Sequence, residues 1–398
     1  MPTPDIASPS PDLDWLMAML WPEAVAIGSQ PGPRYAVISR GGRPKLIVPL
    51  DSPRASAAAI NRMSGDIGAG SGLVRRLGGH GLRLGLMQPI LRTRWTSPQQ
   101  GTTPSLENYL REALGVNQAE LAVTVGPPRP NRKPVIELFK PDGTTIGFAK
   151  VGWNGLTRHL VAREAANLEL VDRAAMPDVE APRVLHLGVW RDLDILVLSP
   201  LTQPPEANVR RVPTAHEIGQ VATLFTAPDQ RLEKSPYAIQ LGDRIALRSG
   251  NDVALLTRAL EEACRADGDT AMRFGGWHGD WTPWNMVAAA ASLLVWDWER
   301  AGGPVPLGSD AVHYFFQAAW LREGATAAAA IGLALDRSSD VRAALGVPRV
   351  HRRSIGLLYL SELFLRYAEN ADYGTDQLRI GRHDEVRTAL RQLVASTN

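Results

Sequence analysis

The chain has 398 residues, of which 44% are hydrophobic and 21% charged, with a formal net charge of +2. That balance is typical of a folded globular protein and excludes wholesale disorder. It also lacks the concentrated basic charge of a nucleic-acid binder. The lone cysteine, Cys264, excludes an intrachain disulfide, and no Cys/His cluster has zinc spacing.

The opening, MPTPDIASPSPDLDWLMAML, carries aspartate rather than lysine or arginine before its short apolar run. It lacks the basic segment of a signal peptide. No stretch approaches the ~18 apolar residues of a membrane helix. A cytoplasmic protein with no membrane span is expected.

Three regions follow one another by pattern, 1–118, 119–200 and 201–398. In the first, Arg34–Ile38 and Lys45–Leu50 read as strands joined by the turn-rich RGGRP. A helix is predicted over Pro53–Met63, then glycine-rich sequence from Gly65 to Gly81. Ser105 caps a short helix that Gly115 stops. Arg75, Arg76, Arg83, Arg92 and Arg94 form no tight run and read as a solvated face.

The second region alternates strands with one long helix. Strands are predicted at Ala119–Val125, Pro134–Phe139 and Thr145–Val151, the last two joined by an Asp-Gly turn. A helix from about Leu156 to Ala174 precedes strands near Arg183–Leu187 and Asp194–Leu198. The third region reads as mostly helical, over Asn251–Ala266, Asp310–Leu321 and Ile355–Glu369. Its one predicted β interruption covers about 286–296.

The densest chemistry lies beside that interruption. Asp280 and Asn285 are separated by Pro283, which prevents a continuous helix. The segment is therefore a loop that can turn an acid and an amide toward one site. Met286-Val287 and Leu293–Trp296 read as a hairpin that delivers Asp297. Phosphoryl transfer needs such a set: one carboxylate for the attacking hydroxyl, and an amide with a second carboxylate for magnesium. Turn and cap residues supply the same types for local reasons, but not this whole spacing.

HGDWTPWN resembles the HxDxxxxN catalytic loop of the aminoglycoside phosphotransferase and choline kinase families, and Asp297-Trp298-Glu299 is similar to their metal-binding segment. The resemblance implies an α+β, bilobal protein-kinase-like fold with a small β-sheet N-lobe and a helical C-lobe. It also implies ATP and Mg2+ as nucleotide and metal. Asp280 is then the catalytic base, Asn285 and Asp297 are metal ligands, and His278 is a structural residue. Glu299 has two readings, a second metal contact or a surface pair with Arg300.

The second region offers a partner for this motif. Lys150 ends the strand TIGFAKV, an unusual place for lysine in a half-buried strand. Fourteen residues later, Glu164 lies on the apolar stripe of Leu156, Leu160 and Leu168. A carboxylate there is costly unless paired, and Lys150 is the candidate the resemblance also implies. DILVLSPL resembles the strand leading to an adenine-binding hinge near Ser199–Leu201.

Departures from the family pattern are clear. No GxGxxG precedes the second strand; the connection is GPPRPNRKP, from which Arg129, Arg132 or Lys133 could approach a nucleotide or simply face water. Thr282 stands where protein kinases carry lysine, which argues against a conventional protein kinase. Trp277, Trp296 and Trp298 are expected to pack the hairpin. Trp281 and Trp284 are left between packing and an acceptor pocket. The Asp310–Trp320 and Tyr359–Tyr367 segments are acceptor-pocket candidates by position.

Residues 1–118 resemble the extra N-terminal domains of maltokinase-like kinases in position only, and are expected to form a separate α+β, cap-like domain. The expected reaction is transfer of a γ-phosphoryl group to the hydroxyl of a small molecule, with no nucleic-acid partner. A non-catalytic nucleotide-binding scaffold and a protein-modifying kinase are the rival readings.

Overall fold

The computed structural model describes residues 11–25, 29–40, 43–63, 94–97, 104–126, 131–201, 212–289, 291–373 and 377–396. The glycine-rich stretch 65–81, with Arg75, Arg76, Arg83, Arg92 and Arg129, lies outside these described residues. The chain divides into two compact units, Met1–Val161 with Arg183–Pro200, and Ala162–Pro182 with Leu201–Asn398.

The first unit is built on an antiparallel sheet. Its strands are β1 (Arg34–Arg40), β2 (Arg43–Pro49), β3 (Arg94–Thr96), β4 (Glu120–Thr124), β5 (Val135–Phe139), β6 (Thr145–Gly152), β8 (Val184–Trp190) and β9 (Leu193–Leu198). Among the described residues they form one 8-stranded sheet in the order β3-β1-β2-β4-β5-β6-β9-β8. The predicted strands and hairpins appear within two or three residues of their expected ends. The described strands ahead of residue 118 join the sheet of the second region. β2 pairs with β4, Leu46 opposite Thr124 and Ile47 opposite Val123, so the first two sequence regions share one sheet.

Both faces of that sheet are covered, which explains continuous apolar runs such as Leu46-Ile47-Val48. Leu46, Val48, Ala122 and Phe139 pack against Ala55 and Ala59 of α2 (Pro53–Met63). Ile47, Leu121, Val123 and Ile136 pack in the opposite layer with Leu13 and Leu16 of α1 (Pro11–Leu20) and Leu106 and Leu110 of α3 (Leu106–Leu114). Ser105 caps α3 through Asn108 N–H, and Gly115 ends it in the left-handed region, both as predicted.

Helix α4 (Gly155–Arg173) begins in the first unit and ends in the second. The second unit then contains α5 (Ala215–Ala222), α6 (Pro236–Ala246), α7 (Asn251–Asp267), α8 (Ser309–Leu321), α9 (Ala327–Arg337), α10 (Ser339–Ala344), α11 (Arg352–Ala371) and α12 (Gln377–Ala395). Its own core includes Leu256, Val312, Phe316, Leu357 and Phe364. The hairpin β12 (Met286–Ala288) and β13 (Leu293–Val295) forms as expected, and β13 also pairs with β7 (Val179–Glu180).

A single β interruption is too few for this unit. β10 (Ala227–Gln230), β11 (Met272–Trp277) and β14 (Gly302–Pro306) form a second small sheet. Their sequences, APDQ, MRFGGW and GGPVP, are rich in the glycine and proline that ordinarily argue against strands. Close packing explains the glycines. A Cβ on Gly275 would lie 2.9 Å from Ala222 Cβ, and one on Gly276 would lie 2.9 Å from the Val221 carbonyl, both on α5. Among the described residues no helix is long and apolar enough to cross a membrane.

Each unit also contains a buried polar knot. In the second, His351 Nδ1 lies 2.8 Å from Asp267 Oδ1, which also accepts from the Ser354 hydroxyl. His351 and Asp267 have no exposed side-chain surface, so this Ser-His-Asp set is structural. In the first, Glu107 is 1% exposed. Its Oε1 accepts from Trp21 Nε1 at 3.0 Å and Tyr35 O–H at 2.8 Å, and its Oε2 accepts from Ser97 Oγ at 3.1 Å. Trp21, Tyr35 and Trp95 pack with ring centroids 5.0–5.7 Å apart. Glu107→Leu would strand those donors. It is expected to cost about 3 kcal/mol, seen as a lower urea midpoint at unchanged m-value, with Glu107→Gln less severe.

Candidate active site

The turn after β11 is shaped by its glycine. Gly279 has φ +77°, and a Cβ there would lie 2.5 Å from the Arg300 carbonyl, so side chain and conformation are both excluded. Pro283 and Trp284 make the next turn, and Asn285 N–H donates to the Thr282 carbonyl at 3.0 Å. The hairpin then returns the chain, with Trp296 N–H donating to the Asn285 carbonyl at 3.1 Å. Asp297 follows at φ 66°, ψ 53°, a left-handed conformation that aspartate tolerates better than most residues. The predicted loop-hairpin-acid arrangement is present.

Asp310, in the first turn of α8, holds this loop by its backbone. Its Oδ2 accepts from His278 N–H at 2.7 Å and its Oδ1 from Gly279 N–H at 3.1 Å. The carboxyl is 2% exposed. Burial pushes it up to about 7, against the two amides and Arg366, which pull it down. His278 is fully buried. Its Nδ1 accepts from Asp280 N–H at 3.2 Å, so Nε2 carries the proton and donates to the Trp296 carbonyl at 3.1 Å. Burial pushes this imidazole down to about 4, against the pull of Asp280 and Asp297. His278 is thus a neutral spacer between the loop and the hairpin, consistent with its expected structural place.

Asp280 and Asn285 are brought together. Asn285 Nδ2 donates to Asp280 Oδ2 at 2.9 Å and to the Asp280 carbonyl at 3.1 Å. The other carboxylate oxygen meets His313 Nε2 at 3.3 Å, while His313 Nδ1 lies 3.0 Å from the Tyr359 hydroxyl. The chain of donors runs one way, Tyr359 O–H to His313 and His313 N–H to Asp280. Burial alone would raise the Asp280 carboxyl. His313, Arg366 and His278 outweigh it and hold Asp280 well below the usual carboxylate range. The side chain of Asp280 remains 37% exposed, against 2% for His313. Asp280 is therefore an ionised carboxylate open on one side and held from beneath.

His313 and Tyr359 lie in the segments read as acceptor-pocket candidates, but the structure places them under Asp280. The pattern carried a signal. Asp310 and His313 stand three apart on a largely apolar helix, so they share one face.

Asn285 spends its amide nitrogen on Asp280, which leaves its carbonyl oxygen as the atom that could meet a cation. With the Asp297 carboxylate, this is a hard oxygen set of the kind magnesium takes, usually with only one or two protein ligands plus phosphate and water. Among the described residues no group of three or more His, Cys, Asp or Glu is placed to hold a metal ion. Arg300 donates to Asn370 Oδ1 at 3.1 Å, and Glu299 is half-buried in the short helical turn after Asp297.

Lys150 is 7% exposed on β6, between β5 and β9, and Glu164 is fully buried on α4. Both are thus where a charge needs a partner. Ser199 N–H donates to the Arg183 carbonyl at 2.8 Å, just before the unit boundary at Pro200. Arg132 is not directed to a nucleotide: it is buried, bonded to Asp12 Oδ1 at 2.8 Å and stacked over Trp15. Trp281 is fully buried, edge-on to His278, so it packs and lines no pocket. Trp277 and Trp298 are buried and Trp296 half-buried, and Arg322 lies over Trp284 at 5.5 Å.

No protein-family model and no curated protein matches the chain. Among solved structures, it is similar to a thermostable aminoglycoside phosphotransferase mutant in a ternary complex with AMP-PNP and hygromycin B. That match has 15% identity and a TM-score of 0.48, over 73% of this chain and 99% of the other. It is also similar to choline kinase LicA from Streptococcus pneumoniae, with 15% identity and a TM-score of 0.45, over 72% of this chain and 99% of the other. A third is an amicoumacin kinase with AMP-PNP and Ca2+, at 9% identity and a TM-score of 0.44, over 68% and 88%. By name these are one phosphotransferase and two kinases. At these identities the reading of individual residues rests on the geometry above.

The two buried groups under the loop respond oppositely to pH. Between its ordinary 6.5 and about 4, His278 binds a proton only in the unfolded chain, so falling pH costs stability. Between its ordinary 3.8 and about 7, Asp310 binds a proton only in the folded chain, so falling pH adds stability. The two should nearly offset. Asp310→Asn is expected to unmask the histidine, giving a melting temperature that falls from pH 6.5 to pH 4 more steeply than in the parent.

Proposed function

We propose that the chain is an ATP- and Mg2+-dependent phosphotransferase that moves a γ-phosphoryl group to the hydroxyl of a small molecule. One observation carries the reading: an ionised Asp280, open on one side, fixed by Asn285 and His313 a few residues before a hairpin that presents Asp297. The motif resemblance agrees with it. In this reading residues 119–200 serve the nucleotide, 201–398 carry the catalytic loop and acceptor side, and 1–118 extend the sheet of the former. Lys150, fixed by Glu164, aligns the phosphates, and backbone near Ser199–Leu201 meets the adenine.

Asp280 orients the acceptor hydroxyl by accepting its hydrogen bond. The acceptor oxygen forms a bond to the γ-phosphorus while the bond to the bridging oxygen breaks and ADP leaves. The hydroxyl proton passes to Asp280 Oδ and then to solvent. A carboxylate held this acidic is a weak base, so it suits late proton transfer, once the attacking oxygen has become acidic itself. That matches a loose transition state in which positioning dominates. Asn285 Oδ1 and Asp297 would hold magnesium, which neutralises the phosphates when bound.

Asp280→Ala is expected to lower kcat by about a thousandfold in a coupled ADP-release assay across sugars, amino sugars, aminoglycosides and amino alcohols. ATP binding without transfer to any acceptor would favour a nucleotide-binding scaffold. Labelling of a protein from extract, lost in Asp280→Ala, would favour a protein kinase. Asp297→Ala should abolish Mg2+-dependent turnover while the protein stays folded, and retained activity would remove the metal assignment.

His313 acts through Asp280. His313→Ala removes the largest influence holding that carboxyl down. The acid limb of the kcat/KM profile should therefore move to higher pH, with kcat falling more than KM changes. An unmoved limb would make His313 a packing residue.

A further inference from the structure

Beside the loop, within the second unit, lies a cavity of ≈ 300 Å3. Its wall carries Arg163 of α4, Arg244 of α6, Arg300 and Arg366 of α11, against the carboxylates Glu362 and Glu369. Both carboxylates are spent on one cation: Arg244 Nη1 lies 2.7 Å from Glu362 and Nε 2.9 Å from Glu369. Arg163 donates to the neutral Ala301 carbonyl at 2.9 Å, and Arg366 lies over the Trp277 ring at 5.4 Å. Burial disfavours the charged form of Arg163. Arg366 and Arg244 push the same way, with Glu369 opposing. The wall thus gathers more positive charge than it neutralises, on half-buried guanidinium forks from separate elements.

We propose that this cavity is an anion site for a phosphate-class oxyanion, gripped by Arg163 and Arg366. Guanidinium forks match the paired oxygens of such an anion better than they match a point charge or a neutral ligand. An oxyanion would offset the excess of Arg163, Arg244 and Arg366 over Glu362 and Glu369. The volume exceeds what one phosphate fills, so the same chemistry suits free phosphate or the phosphate group of a small molecule. Arg366 also acts on Asp280 and Asp310, so an occupant's charge would be felt at the loop. The site does not depend on the phosphotransferase reading.

The test is titration of the nucleotide-free protein with inorganic phosphate, and separately with glycerol phosphate, at constant ionic strength, by calorimetry. Saturable binding is expected. Arg163→Gln, which keeps a donor toward Ala301, should weaken it by about tenfold, the worth of one charge-assisted hydrogen bond. Arg163→Lys should recover part of that loss, and thermal melts would verify that each variant is folded. Asp297→Ala should leave the affinity unchanged, which separates this cavity from the candidate nucleotide site. Tighter glycerol phosphate points to a phosphorylated small molecule, and tighter inorganic phosphate to the free ion. Absence of saturable binding, equal affinity in Arg163→Gln, or binding lost in Asp297→Ala would each overturn the proposal.

Discussion

Two backbone N–H groups, those of His278 and Gly279, point at the Asp310 carboxyl, and the arrangement of the loop follows from that clamp. A turn with a left-handed glycine has no ladder to satisfy its amides, and burying them unmet would cost about 1–3 kcal/mol each. Asp310 meets both from the first turn of α8, where the helix end also favours negative charge. Once the amides are fixed, His278 faces the hairpin, and its two ring nitrogens join Asp280 N–H to the Trp296 carbonyl. Loop and hairpin are then one body. Asn285 and Asp297 flank the two strands of that hairpin.

The electrostatics under the loop are arranged around keeping one carboxylate charged and its neighbours uncharged. His278 and His313 are pushed toward neutrality by burial, and Tyr359 is held protonated the same way. Asp280 alone, with part of its surface open, is stabilised as an anion. Arg366 of α11 adds a smaller pull to that of His313, so this core helix of the second unit also contributes to the potential at the loop. A buried polar network of this kind is high-stakes: each member is satisfied by the next, and removal of one leaves a partner stranded.

Much of this was legible in the sequence because local chemistry agreed with the tertiary outcome. Ser105 and Gly115 bound α3 as cap and stop, and Pro283 with the Asp-Asn spacing marked the loop. What escaped was set by close packing between distant segments. β11 is absent from the predicted strands, and its Gly275 and Gly276, ordinarily poor in strands, fit because α5 leaves no room for a Cβ. Asp310, His313 and Tyr359 looked like pocket candidates, because nothing local shows that α8 and α11 pass beneath the loop. Arg132 read as a solvated or nucleotide-facing cation, while its partner Asp12 lies 120 positions earlier. Likewise the pairing of β2 with β4 across a long separation leaves no local trace in the sequence.

That pairing bears on what kind of object the first unit is. Leu121, Ala122 and Val123 of β4 are all 1% exposed or less, and Lys45 O accepts from Val125 N–H at 3.0 Å along the β2 seam. Shorn of β2, the strand β4 would become a flat apolar margin with a row of unmet amides and carbonyls, the template on which separate chains stick together. The segment ahead of residue 118 therefore acts as a hem on the sheet. A shortened chain beginning at β4 would bare that margin and is expected to trade solubility for size.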